Sequence, residues 1–109
     1  VLVMGVTFKE NVSDIRNSKV ADLIEELQSF SINVEIHDPH ADPEEVFEEY
    51  GIKLTQDINN GYDAVIVAVN HKEYDDYQED FFKKISNENG IVIDVKGVLR
   101  KKIKEMNYW

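Results

Sequence analysis

The chain contains no cysteine, and that single absence removes several chemistries. Nowhere in its 109 residues can there be a disulfide framework, a thiolate metal site or a cysteine nucleophile. Long apolar runs are missing as well. None approaches the roughly 20 residues needed to cross a bilayer, and Val1 to Val6 runs straight into a polar loop, unlike a signal peptide. Net positive charge is also lacking: a formal −10 argues against nucleic acid or an anionic membrane as partner. A reducing cytoplasm is the expected compartment.

What is present belongs to a folded domain. Hydrophobic residues make up 42% of the chain and charged residues 31%, a globular balance. The length fits one domain, so residues 1–109 are read as a single unit. The charge is uneven. Acid gathers in two blocks, Asp42 to Glu49 and Glu73 to Asp80, which read as solvated helix faces. Residues 91–109 are locally basic, with Lys96, Arg100, Lys101, Lys102 and Lys104 against Asp94 and Glu105. An anionic small molecule could therefore still be held near the two ends of the chain.

Five apolar runs, Val1–Gly5, Asn33–His37, Ile52–Leu54, Ala64–Val69 and Gly90–Val95, are expected as strands. The fourth is continuous and uncharged, as in a central strand covered on both faces. Helical periodicity intervenes. Val20, Leu23, Ile24 and Leu27 form one apolar stripe. Asp42-Pro43-Glu44-Glu45 starts a helix that buries Val46, Phe47 and Tyr50 and stops at Gly51. Tyr74, Tyr77, Phe81 and Ile85 predict another, closed by Asn89-Gly90, and Leu99, Ile103 and Met106 a last one. This alternation predicts a three-layer α/β/α doubly wound, Rossmann-like fold with a five-stranded parallel sheet in the order 3-2-1-4-5. Its topological switch lies between strands one and four, and ligands of such sheets bind at the strand carboxyl ends there. The loops to inspect are Gly5 to Ser18, Asn70 to Tyr74 and Lys96 to Leu99.

The first of these loops is long and carries Lys9, Arg16 and Lys19. Asn17 and Ser18 fall at a helix N-terminus, where unpaired N–H groups could hold an anion. The alternative is a purely structural loop in which Asp14 pairs with Arg16 and caps the helix. No Gly-Lys-Ser/Thr follows the first glycine, so this is no phosphate-binding P-loop. The second and third glycines of a dinucleotide fingerprint are absent too. His37, His40 and Asp42 flank an Asp-Pro turn without compelling metal-ligand geometry, and no metal site is expected. His71 follows the fourth strand, where it could line the site or cap the next helix.

Thr7-Phe8-Lys9-Glu10-Asn11 followed by Asp14-Ile15-Arg16-Asn17-Ser18 resembles a motif of the UDP-glucose/GDP-mannose dehydrogenase family. There it opens the C-terminal nucleotide-sugar-binding domain, and this variant is most similar to the branch acting on UDP-N-acetylmannosamine and UDP-N-acetylgalactosamine. The resemblance continues at His37-Asp38-Pro39, Ala68-Val69-Asn70-His71 and Asp94-Val95-Lys96-Gly97, and so covers the whole chain.

The resemblance implies that Phe8 and Lys9 contact a UDP-sugar and that Lys96 grips it. Asp14 and Arg16 would lie near the junction with a dinucleotide domain, with Arg16 orienting the loop and reaching NAD. Asn17, Ser18 and His71 are expected in support. The family's hydride transfer also needs an N-terminal NAD domain and a central cysteine nucleophile. The expectation is therefore a C-terminal piece of a longer NAD-dependent UDP-N-acetylhexosamine 6-dehydrogenase that supplies polysaccharide precursors for capsule or O-antigen. The intact enzyme is expected to be cytoplasmic and a homodimer or higher oligomer, and this piece is expected to be inactive alone. Two other readings stand beside it: a free-standing nucleotide-sugar-binding module, or a phosphoacceptor receiver. Lys96 suits a receiver, but Met4-Gly5 and Leu54-Thr55 stand where its acidic residues belong.

Overall fold

The computed structural model describes all of residues 1–109. Its elements are β1 (Leu2–Met4), α1 (Lys19–Ser29), β2 (Glu35–His37), α2 (Pro43–Tyr50), β3 (Tyr62–Val67), α3 (Glu79–Ile85), β4 (Ser86–Asp94) and β5 (Asn107–Tyr108). A single 3-10 turn, Lys72–Tyr74, follows β3. The five strands form one sheet in the order β2-β1-β3-β4-β5, and every pair is parallel.

Alternation along the strands divides the core into two layers. Leu2, Met4, Val65, Val67 and Val92 face α3 and the C-terminal turn, packing with Tyr74, Phe82, Ile85, Leu99 and Ile103. Val3, Ile36, Ile66 and Ala68 face the other way, onto Ala21 and Ile24 of α1 and Val46 of α2. Helices thus cover both faces of a parallel sheet, as the sequence predicts. No helix is long and apolar enough to cross a membrane.

The register brings the strand ends level. Met4 pairs with His37 on one side and Val67 on the other, and Val67 pairs with Asp94. Beyond β1 the Gly5 amide donates to His37 O at 2.8 Å, while Ala68 and Val69 donate to Met4 O at 3.0 and 3.2 Å. The three loops that leave these ends are therefore neighbours.

Five details differ from expectation. Ile52–Leu54, the expected third strand, forms no ladder; its chain runs along the outer edge of β2 with Thr55 N donating to Ile36 O at 2.6 Å. The expected Gly90–Val95 strand is present within β4, and an unexpected strand, Asn107–Tyr108, pairs beside it at the opposite edge. The expected last helix is a single turn, in which Lys102 and Ile103 both donate to Leu99 O. Its continuation is intercepted by Glu79 Oε2, which accepts the amides of Lys104, Glu105 and Met106 at 2.9, 2.7 and 3.0 Å. Those three donors have no need of helical carbonyls, and the chain turns out into β5.

The helix expected over Tyr74–Ile85 is broken into the 3-10 turn and α3, and it ends at Ile85 rather than Asn89-Gly90. Ser86–Asn89 has no apolar residue to bury and favours other conformations. Tyr77 and Phe81 stack at 3.8 Å between centroids across the break. In α2 the expected cap holds, with Asp42 accepting from Glu44 N and Gly51 at φ 68°. Val46 is buried there, but Phe47 is 58% exposed.

Candidate functional site

The cleft at the switch point is built by the loop between β1 and α1. Gly5 opens it with φ +94°, and a Cβ there would meet Val69 Cβ at 2.5 Å. Only glycine combines that backbone angle with so close an approach of two strand ends. The loop then folds on itself. Phe8 N donates to Asp14 O at 2.6 Å and the Thr7 hydroxyl to Lys9 O at 2.9 Å. Tyr50 of α2 donates to Ile15 O, and Ser18 Oγ donates to Val6 O at 2.7 Å. Ser18 also caps α1 by accepting from Ala21 N at 3.3 Å.

Over the carboxyl ends of β1, β3 and β4 this leaves a cleft of about 290 Å³. Phe8, Lys9, Asn17, Lys19, Val69 and Lys96 are among the residues that line it, with Glu10 beside them. None of Lys9, Lys19 and Lys96 forms a salt bridge; the chain's four are Arg16–Asp14, His40–Glu73, His71–Asp38 and Lys83–Glu105. Three unpaired ammonium groups and the start of α1 thus converge in a chain of net charge −10. Such a site attracts a compact polyanion at short range. Phe8 is 57% exposed and supplies an apolar wall for a ring.

The volume is near the lower end of ligand sites, roughly 300–1,000 Å³. Beside one of about 300 Å³ at the start of α1, lined by Asp22 and Glu49 as well as Lys19, two distinctly larger depressions lie elsewhere. One, of about 500 Å³, is lined by Ser86–Gly90 and Glu105, where Lys83 is already paired with Glu105. The other, of about 630 Å³, runs along Phe47 between Glu44, Glu48 and Lys53. Their carboxylates oppose an anion, so chemistry favours the smaller cleft.

The expected residues divide into two groups. Phe8, Lys9, Asn17 and Lys96 come together in the cleft from three separate stretches of chain. Arg16 does not join them. Its side chain is 83% exposed, makes a two-point pair with Asp14 at 3.1 Å, and borders a depression shared with Glu45, Glu48 and Glu49. That pair holds the Asp14 carboxyl below its usual range, first through the side-chain hydrogen bonds. Ser18 is buried as the helix cap, and Asp14 does not cap the helix. His71 is fully buried beneath the loop and makes no cap hydrogen bond.

Lys19 and Glu10 line the cleft although sequence reasoning assigned them no part. Lys19 had a signal, since it directly follows the helix-capping Ser18. Asp38 was also passed over. It is 8% exposed, and its carboxylate accepts from the amides of Val6, Thr7, His40 and Ala41 and faces His71 Nε2 at 2.9 Å. Burial pushes its pKa up, but hydrogen bonds from His71, Val6 and His40 outweigh this and hold it at about 2. No cluster of three His, Asp or Glu side chains could hold a metal ion.

Residues 2–101 match the model of the UDP-glucose/GDP-mannose dehydrogenase family, UDP binding domain. The chain belongs to this family. It is 40% identical over 100 residues to a UDP-N-acetyl-D-glucosamine 6-dehydrogenase of Salmonella typhi, covering 91% of this chain and 24% of that one. It is 32% identical over 101 residues to a UDP-N-acetyl-D-mannosamine dehydrogenase of Methanococcus vannielii, covering 91% and 23%. In fold it is similar to the UDP-N-acetyl-mannosamine dehydrogenase Cap5O from S. aureus, with a TM-score of 0.75, 24% identity, and coverage of 99% of this chain and 25% of that one. The family member described here thus spans about a quarter of the length of the curated relatives it matches.

Proposed function

We propose that this chain is the UDP-sugar-binding domain, C-terminal in its enzyme, of an NAD-dependent UDP-N-acetylhexosamine 6-dehydrogenase. The observation that carries the reading is the convergence of unpaired Lys9, Lys19 and Lys96 on a cleft walled by Phe8, in a chain of this family. Lys9 and Lys96 clamp the pyrophosphate as point charges, and Phe8 packs against a ring of the ligand. Relatives named for N-acetylglucosamine and N-acetylmannosamine substrates support an acylamino sugar.

The residues present do not fit an NAD cradle. The turn after β1 is a long, self-bonded loop without a second glycine, and its helix start is capped by Ser18. NAD and the nucleophile of the oxidation therefore belong to the remainder of the longer enzyme. Arg16 is read as the group of this domain that meets that remainder and the NAD it holds; its exposure on the loop's outer side supports the reading. The intact enzyme is read as a cytoplasmic oligomer serving polysaccharide synthesis.

The test is calorimetric titration of the 109-residue chain with UDP, UDP-N-acetylglucosamine and UDP-N-acetylmannosamine, with GDP and orthophosphate as controls. UDP ligands are expected to bind and to move the amide resonances of Phe8, Lys9, Val69 and Lys96. Equal binding of GDP and orthophosphate, or shifts confined to another surface, would overturn the reading.

A further inference from the structure

Below the cleft, and outside its lining, lies a pair that ligand binding does not use directly. The side chains of His71 and Asp38 are both wholly inaccessible to solvent. The Asn11 N–H can only donate, so His71 Nδ1, 3.0 Å away, is its acceptor and carries no proton. The ring proton is therefore on Nε2, facing Asp38 Oδ2 at 2.9 Å and Thr7 Oγ1 at 3.3 Å. The same carboxylate oxygen accepts from Val6 N at 2.7 Å and Thr7 N at 3.2 Å. Asn11, at φ 62°, completes the closure by accepting from Lys72 N at 2.7 Å.

The stretch from Val6 to Asn11 is thus gripped at both ends by one buried pair. Between the grips stand Phe8 and Lys9, exposed and lining the cleft. Nothing fixes the Lys9 side chain itself, so its place is set through the backbone. Ordering done when the chain folds need not be repeated when a ligand arrives.

We propose that Asp38 and His71 are positioning residues for the nucleotide-sugar clamp, fixing Phe8 and Lys9 over the cleft through the backbone amides of Val6, Thr7 and Asn11. The inference rests on the UDP reading of that cleft. It separates two tasks within one imidazole: Nε2 satisfies the buried carboxylate, and Nδ1 anchors the loop.

The two tasks can be pulled apart by substitution. His71→Asn keeps an acceptor near Nδ1 for Asn11 but loses the donor to Asp38. His71→Gln keeps a donor toward Asp38 but loses the Asn11 acceptor. Asn11→Gly, at an exposed position, keeps the left-handed backbone and removes the tie to Lys72, and it does not threaten the core. UDP affinity by calorimetry and thermal stability are measured for each variant in the 109-residue chain, beside the unaltered chain and Lys9→Ala.

Affinity is expected to follow the loop anchor. His71→Gln and Asn11→Gly should each weaken UDP binding on the order of threefold to tenfold, the worth of one hydrogen bond. His71→Asn should bind UDP more tightly than His71→Gln even where it melts at a lower temperature. If the unaltered chain binds no UDP, the cleft reading fails and the positioning role falls with it. If the unaltered chain binds UDP, Lys9→Ala does not, and His71→Gln and Asn11→Gly match the unaltered chain, the cleft reading stands and the positioning role is overturned. Affinities that rank with melting temperature across the series would overturn it as well.

Discussion

Gly5 and Val69 approach so closely that a Cβ on Gly5 would stand 2.5 Å from the Cβ of Val69 and 2.7 Å from its carbonyl oxygen. The contact joins the carboxyl ends of β1 and β3, where the switch-point cleft begins. Backbone lies on one side of it, and φ at Gly5 is +94°, so neither space nor conformation admits a side chain. Gly5→Ala is expected to destabilise the chain by roughly 2–4 kcal/mol in urea unfolding. It should also shift the amide resonances of Val6 to Lys9. A variant as stable as the unaltered chain would mean that the strand ends separate more readily than this packing allows.

A second expectation concerns acid. Asp38 has a folded pKa of about 2, below the usual carboxylate value of 3.8. A depressed carboxylate stabilises the fold above its unfolded pKa, and that stabilisation disappears as pH falls through the folded value. For Asp38 it should be present at pH 7 and lost between about pH 4 and pH 2, with a size on the order of 2 kcal/mol. Asp38→Asn removes the titrating group. Its stability gap from the unaltered chain, measured by urea unfolding, should narrow over that window. A gap independent of pH would show that the hydrogen bonds around Asp38 do not depend on its charge.

A third concerns division of labour. The chain lacks cysteine, and the β1–α1 loop is no dinucleotide cradle. Purified free of longer enzyme, it should produce no NADH from NAD with any UDP-sugar, as followed by NADH absorbance. Turnover above background would place the oxidation chemistry within these 109 residues.

The parallel sheet and its switch point were legible because apolar runs and helical stripes alternate without ambiguity. The continuous apolar run Ala64–Val69 read as a covered strand and overlaps β3, and Asp42-Pro43 read as the helix start it is. The edges were not legible. Ile52–Leu54 runs beside β2 without forming a ladder, and at the opposite edge Asn107–Tyr108 pairs with β4 after a distant carboxylate, Glu79, captures the three preceding amides. Nothing in the spacing of Leu99, Ile103 and Met106 announces that competition. In the cleft, Phe8, Lys9 and Lys96 could be named from the family resemblance of their motifs, and the two lysines also because they follow strands that meet at the switch. His71 and Asp38 carried only local signals, and their partnership across the fold is a tertiary fact. Arg16, expected near the junction with a dinucleotide domain, lies on the outer side of the loop, paired with Asp14 and outside the cleft.

The final expectation is that Lys9 and Lys96 form the clamp. Both line the cleft, neither has a carboxylate partner, and they arrive from opposite ends of the sequence. A net charge of −10 gives no long-range pull on a pyrophosphate, so attraction must come from groups within contact range. A hydrogen bond to a charged group is worth roughly 1.5–3 kcal/mol. Lys9→Ala and Lys96→Ala should therefore each weaken UDP binding on the order of tenfold to a hundredfold while leaving the melting temperature nearly unchanged. Because the two ammonium groups would share one pyrophosphate, the double variant should lose less than the sum of the two single effects. Lys19→Ala tests whether the third lysine contributes at the helix start, with a smaller loss expected. Lys53, beside Phe47 in a separate groove, is the control, and Lys53→Ala should bind UDP as the unaltered chain does. Raising salt should weaken the unaltered chain more than either single variant, since each variant has one charge fewer to screen. If Lys9→Ala and Lys96→Ala both kept full affinity at low salt, the cleft would not be a phosphate clamp, and the loop between β1 and α1 would be structural alone.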